Sequence, residues 1–503
     1  MKYLILLFVF AFIASCDSKQ PVIEWVSTTP DSQWVRRDGI SLSSDATDFD
    51  AKIQLDKKLQ TIEGFGACFN EMGWASLSLL PEEDQSEIFR ELYEPGIGAN
   101  FTVCRMPVAA NDFSIDWYSY NETEGDFEMK NFSINNDLNT LVPFIKKAQQ
   151  YNSDLKLWAS PWSPPSWMKY NKHYASVSSL RAVEMAREFI EQRKKEGSEG
   201  EGTFGSFFDN IMNPNYQNDL PFDRQGQEGT DMFIQDEKYL KAYALYFQKF
   251  IDAYDEQGID ISMVMPQNEF NSAQVFPSCC WTAKGLANFI GSYLGPAMKE
   301  KGVEIYFGTM ERPTEALVDT ILTDPKSSQY VGGVGFQWAG KDALPGINKK
   351  YPELAMYQTE QECGDGKNDW EGAEHSWDLM KHYLRNGVSV YEYWNTSLLE
   401  GGISRWGWAQ NSLVVVDTKE KDYRFSYEYY LLKHLSHYVL PGAKMLETSG
   451  DFDDLLAFEN TDSSIVVMAY NESDQEKNIK LEISGKLLKA TLEAKSFNTI
   501  KVK

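Results

Sequence analysis

Eight short apolar, β-prone runs alternate with helix-like segments through most of this chain, and that alternation restricts the fold more than any other feature. The runs are QTIEGFGACF (60–69), NFTVCRMPV (100–108), LKLWASPW (155–162), IDISMVMPQNE (259–269), VEIYFGTM (303–310), VGGVGFQWA (331–339), LAMYQTE (354–360) and VSVYEYWN (388–395). Between most of them stand segments with helical spacing, such as DLNTLVPFIKKAQQY and KGLANFIGSYLGPAMKEKG. Several are closed by the glycine that suits a helix C-terminus. Eight such repeats predict a parallel (β/α)8 TIM barrel rather than an open sheet. No sequence repeat accompanies the period, which argues against a solenoid.

After about residue 440 the pattern changes to short strands separated by Asp, Asn and Ser turns: LLAFEN, SIVVMAYN, NIKLEIS, KATLEA and FNTIKVK. These predict a β-sandwich. The strand-like VIEWVS near the N-terminus completes it, so both chain ends enter one β domain. The expected division is a barrel over residues 56–410 and a sandwich from 21–55 plus 411–503. One stretch, 194–229, is rich in Gly, Asn, Asp and Phe and keeps no period. Loops this long are functional or disordered, and its aromatic residues suit either a substrate wall or simple disorder.

Composition limits the function. The 503 residues accommodate a barrel with an accessory domain, and 42% hydrophobic residues supply a large core. A net charge of −26 argues against nucleic acid as a partner and reads as a solvated acidic surface. MKYLILLFVFAFIAS (1–15) has a basic start, a short apolar stretch and small residues, as an export signal does. Ile13-Ala14-Ser15-Cys16 resembles the bacterial lipobox, in which the cysteine is lipidated; the bland alternative is an ordinary signal peptide. Residues 1–16 are therefore expected to be a lipoprotein signal peptide with lipidated Cys16. The localisation that follows is an exported lipoprotein of the cell envelope, on the periplasmic or surface face of the outer membrane. Contact with the membrane would be through the anchor alone. The other cysteines, Cys68, Cys104, Cys279, Cys280 and Cys363, are too few and too scattered for a disulfide framework. His434 and His437 stand at helical spacing without a carboxylate motif, so no metal or cofactor is expected.

In a barrel of this type the active site lies at the C-terminal ends of the strands. The second run ends at Arg105 with Asp112 soon after, and the third ends in Trp162. The fourth ends in Asn268-Glu269, the sixth in Gln337-Trp338, the seventh in Glu360 and the eighth in Trp394-Asn395. Two glutamates, an arginine, an asparagine and several tryptophans at one mouth suit a sugar. Indole faces stack on the C–H faces of a pyranose, and carboxylates and amides bind its hydroxyls. Two carboxyl groups flanking a glycosidic bond are what most glycoside hydrolases use, one protonated and one ionised.

GFGACFNEMG, CRMPVAANDFS, WASPWSPPSWMK, PQNEF and YQTEQECG together resemble glycoside hydrolase family 30, the family of lysosomal glucosylceramidase and of bacterial and fungal β-1,6-glucanases. The similarity runs over roughly residues 25–503. It implies a (β/α)8 barrel fused to a β-sandwich built from both chain ends, and a metal-free retaining hydrolase acting on β-glucosides, with β-1,6-glucan or its oligosaccharides favoured. Other β-glycosides, among them glucosylceramide, xylosides and fucosides, remain open, as does a surface glycan-binding protein without catalysis. By the resemblance, Glu269 matches the general acid/base, Glu360 the nucleophile, Asn268 the amide that meets the sugar 2-hydroxyl, and Arg105 the arginine that orients the nucleophile. Asp112 and Trp162 match residues that hold the 4- and 6-hydroxyls of the terminal glucose, and Trp394 a tryptophan of the same pocket. The sequence departs from the family at three points. Phe270 replaces the proline usual after Asn-Glu. Glu362 competes with Glu360, which is preferred because it ends the apolar run after Thr359. The histidine and tyrosine that glucosylceramidase carries after its sixth strand are Gln337 and Ala339, which points away from glucosylceramide and toward a wider site.

Overall fold

The computed structural model describes residues 22–44, 48–195, 210–211 and 213–503. The export segment, Cys16 and much of the long aperiodic stretch lie outside the described residues.

Eight parallel strands close into a barrel: Gly64–Cys68, Val103–Pro107, Lys156–Ser160, Met263–Val264, Glu304–Met310, Val331–Gln337, Ala355–Glu360 and Val390–Asn395. Their near-continuous burial follows from helices outside and packed side chains within. The first strand can lie this close to the second only because it carries glycine. A Cβ on Gly66 would stand 1.6 Å from the Val103 carbonyl oxygen. The helices begin where short polar side chains meet free amides: Asp236 accepts from Lys238 N, Thr282 from Gly285 N and Asp369 from Gly372 N.

The fourth strand departs most from expectation. A strand over 259–269 is expected, yet only Met263–Val264 is regular. Pro266 has no N–H to give, and the chain beyond keeps to the third strand through isolated bonds, Met265 N to Ala159 O and Asn268 N to Pro161 O. Glu269 then sits in the left-handed region at φ 47°. The carboxylate is thus carried by a tight turn just past the strand, not by the strand itself.

Both chain ends build the second domain, a ten-stranded arrangement in which Ile23–Thr28 pairs antiparallel with Ser496–Val502. Ala51–Thr61 belongs to it along its full length, pairing with Lys444–Gly450, so the sandwich runs past the expected boundary at residue 56. The other boundary also moves. After the eighth barrel strand the chain forms a small sheet (Ser397–Leu399, Val414–Asp417, Asp422–Phe425) and a helix, Tyr427–Ser436, before sandwich strands resume at Lys444. That helix joins the domains: His434 Nδ1 meets Thr499 Oγ1 and Nε2 meets Thr28 Oγ1, each at 2.9 Å. The cysteines Cys68, Cys104, Cys279, Cys280 and Cys363 are free and buried.

Candidate active site

Arg105 is the fixed point of the mouth; it is the middle residue of the second strand, Val103–Pro107, and not its end as expected. It is fully buried, and all five of its N–H donors are engaged. Nε and Nη2 bond Ser160 Oγ at 3.2 and 2.9 Å. Nη1 bonds Thr359 O and Glu360 Oε2, both at 3.0 Å, and Nη2 also reaches Asn268 Oδ1 at 2.6 Å. Its guanidinium carbon lies 4.3 Å from the Trp162 ring centre, 5.0 Å from Trp158 and 5.4 Å from Trp394. A cation walled by indoles and saturated with acceptors cannot rotate away, so the groups it holds are fixed in place.

The two expected glutamates meet beside it, and each is buried to 4% exposure. Glu360 accepts from Arg105 and from Gln337 Nε2 (3.1 Å) on Oε2, and from Trp338 Nε1 (3.0 Å) on Oε1. Glu269 accepts from Gln337 Nε2 (3.0 Å) on Oε1 and from Gln274 Nε2 (3.1 Å) on Oε2. One nitrogen this close to both carboxylates holds their facing oxygens no more than about 6 Å apart. Asn268 completes the group: its Oδ1 accepts from Arg105, Thr309 Oγ1 and Gln337, which turns its NH2 away from all three.

Environment separates the two carboxyls. Burial raises both. Glu269 is pushed well above the usual carboxylate range, because Glu311 and Glu360 add repulsion and only the hydrogen bond from Gln337 opposes it strongly. At Glu360 burial is countered by the Arg105 charge and by hydrogen bonds from Trp338, Arg105 and Gln337. The geometry therefore favours a proton on Glu269 and a charge on Glu360. The competing Glu362 does not join the cluster. It is turned to Lys341 (2.6 Å) and His375 (3.1 Å), whose bonds outweigh its burial and hold its carboxyl below the ordinary value.

Asp112, Trp162 and Trp394 form the adjoining wall. Trp162 and Trp394 stack at 5.0 Å with 25° between planes. Trp394 Nε1 donates to Asp112 Oδ2 at 3.1 Å, while Asp112 Oδ1 is buried without a protein partner. Arg105, Asp112, Trp162, Asn268, Glu269, Glu360 and Trp394 thus come together at the mouth, while Asn395 is turned to Asn70 and Gln410. Phe270, in place of the usual proline, is buried against Phe307 at 4.9 Å.

The comparisons with known proteins agree with the barrel and sandwich. Residues 62–187 and 225–439 match the family described as glycosyl hydrolase family 30 TIM-barrel domain, and 442–500 match the glycosyl hydrolase family 30 beta sandwich domain. The chain belongs to glycosyl hydrolase family 30. As a family 30 member it is a glycoside hydrolase that acts on carbohydrate. Putative glucosylceramidase 1 of Caenorhabditis elegans is 27% identical over 84% of this chain and 75% of its own length. The endo-1,6-beta-D-glucanase of Neurospora crassa is 24% identical over 87% of this chain and 82% of its own. In fold, SrfJ from Salmonella typhimurium superposes with a TM-score of 0.79 at 21% identity, covering 95% of this chain and 99% of that one.

Several residues of this family 30 site were not picked out from sequence as contributors to it. Gln337 reads as a strand-end residue of the mouth and as a departure from the family, but nothing in the sequence shows that it bonds both carboxylates. Thr309 accepts from Glu269 N and donates to Asn268 Oδ1, Gln274 donates to Glu269, and Glu311 supplies charge, while Trp338, already placed at the mouth, donates to Glu360. The one available signal was position, since Gln337 and Trp338 stand at the end of a barrel strand.

Proposed function

We propose that this enzyme is a retaining β-glucosidase, acting on β-1,6-linked glucan or its oligosaccharides by double displacement. The observation that carries the mechanism is the spacing of Glu269 and Glu360. Retaining enzymes hold their carboxyls about 5–5.5 Å apart and inverting enzymes about 6.5–9.5 Å, and a shared donor nitrogen fits the shorter class. In this reading Glu360 attacks the anomeric carbon as the bond to the leaving oxygen breaks, and Glu269 gives that oxygen its proton. Water then attacks the glycosyl-enzyme, gives its proton to Glu269 and releases Glu360. The NH2 of Asn268 is free to meet the sugar 2-hydroxyl.

The substrate rests on the wall and on the relatives. A buried, unpartnered Asp112 oxygen beside two stacked indoles suits the hydroxyls and the C–H face of a terminal glucose. Outside it, Trp338, which bonds Glu360, meets Trp408 at 6.3 Å and extends the aromatic lining. The described part of the aperiodic stretch adds to this rim. Asn210 bonds Gly407 O, Arg405 bonds Asn215 O, and Glu228 pairs with Arg312 at 2.7 Å. Cys16 would anchor the enzyme to the cell envelope as an exported lipoprotein.

The test is incubation of residues 17–503 with β-1,6-, β-1,3- and β-1,4-glucans and with aryl β-glucoside and β-xyloside, products being sized by chromatography. Short oligosaccharides from β-1,6-glucan, absent with E269Q and E360Q, are expected. Glucose alone would mark an exo-acting enzyme. Turnover of the xyloside only, or of nothing, would overturn the glucan assignment.

A further inference from the structure

Gln337 is the last residue of the sixth barrel strand and is fully buried. The pairing with the seventh strand shifts between Phe336 and Gln337, which sets Gln337 opposite Glu360. Its Oε1 accepts from Thr359 Oγ1 at 3.0 Å, and that bond fixes the amide with its NH2 toward the carboxylates. The nitrogen stands 3.0 Å from Glu269 Oε1, 3.1 Å from Glu360 Oε2 and 3.2 Å from Asn268 Oδ1. An amide nitrogen has two hydrogens, so three acceptors compete for them. Asn268 Oδ1 already has Arg105 and Thr309. The carboxylates are where the hydrogens matter most.

We propose that Gln337 is a positioning residue that clamps Glu269 and Glu360 at one spacing and donates to whichever of them carries the negative charge. The inference rests on the reading of these two as acid/base and nucleophile. In the first displacement the charge passes from Glu360, which bonds the anomeric carbon, to Glu269, which loses its proton to the leaving oxygen. In the second it returns, as Glu269 takes a proton from water and Glu360 is released. A donor within hydrogen-bond distance of both serves each anion without turning. A carboxamide does not titrate, so the clamp is the same at every working pH. The bond from Gln337 opposes the burial of both carboxyls, against the repulsion of Glu311, Asp112 and the partner glutamate on Glu269 and alongside Arg105 on Glu360. Arg312 also faces this group, and Glu392 lies below Arg105 within the barrel.

The test is Q337M, which keeps the length and apolar bulk but not the donor, assayed on aryl β-glucoside and on β-1,6-glucan across pH. A fall in kcat on the order of 100-fold is expected, the scale of losing one charge-stabilising donor. KM should change far less, and both limbs of the pH–rate profile should move to higher pH. T359V, which frees the amide to turn, should give a smaller change in the same direction, and it decides the matter if Q337M does not fold. Wild-type kcat, or lost activity with the limbs in place, would overturn the clamp. Full activity in E269Q and E360Q would instead strike the catalytic assignment itself. Their inactivity beside a wild-type-like Q337M strikes the clamp alone.

Discussion

Arg105 shows how much of this site depends on single side chains. It has no exposure and five acceptor contacts, so removing it leaves Glu360 buried without its cation. R105Q should lower stability by about 3–5 kcal/mol, the usual result of breaking one half of a buried pair, and abolish most turnover. Thermal melts and kcat/KM measure both, and a variant with wild-type stability and rate would contradict the pairing. E269Q should lose most activity on glucans yet keep more on aryl glycosides with good leaving groups, which need little proton donation. Equal loss on both would count against an acid role. The pH profile carries a sign. Glu269 must be protonated to act, so activity falls as pH rises through its raised pKa. Glu311, itself raised to about 6 by burial, adds to that elevation when charged. E311Q should therefore move the alkaline limb to lower pH, and a limb that stays or rises would contradict the coupling. At this scale the sequence displayed Arg105, Glu269 and Glu360 through their places in or just past barrel strands. It did not display the role of Gln337, because a bridge between two carboxylates is a property of three strands together.

Among the elements, the barrel strands with long apolar runs were legible and the short one was not. VEIYFGTM became Glu304–Met310 and VSVYEYWN became Val390–Asn395, since each run is buried along its length. IDISMVMPQNE kept two strand residues, because Pro266 interrupts the ladder and the turn needs Glu269 in the left-handed region. Periodicity carries no information about such a turn. Gly66 illustrates the reverse case, a residue whose reason is visible only in the packed pair. G66A would set a methyl against Val103 O, so the first two strands must part. A loss of at least about 1–3 kcal/mol is expected, read as a lower denaturant midpoint with unchanged slope. An unchanged midpoint would show that the strands yield freely there.

For the molecule as a whole, the two domains are joined through the helix Tyr427–Ser436, and His434 is its pin. The sequence placed both chain ends in one sandwich correctly. It misplaced where the sandwich begins again, because Val414–Asp417 and Asp422–Phe425 are strands that serve the barrel side. Burial, with Lys433 nearby, pushes His434 down to about 3. An unfolded histidine titrates near about 6.5. The folded state therefore disfavours the proton, and the stability this group contributes is present above that pH and lost as pH falls toward the folded value. The loss should approach about 1.4 kcal/mol per pH unit inside the window. H434Q, which keeps polar atoms but does not titrate, should flatten the decline in Tm between pH 6.5 and 4 relative to the parent. Parallel declines would exclude His434 as the acid-sensitive joint.

The most direct test of the catalytic account is covalent trapping. The enzyme would be incubated with an activated 2-deoxy-2-fluoro-β-glucoside, digested, and mapped by mass spectrometry. The account predicts one added sugar on the peptide carrying Glu360, and none in E360Q. A sugar on Glu362 or elsewhere, or turnover that releases the inverted anomer with no adduct, would contradict it.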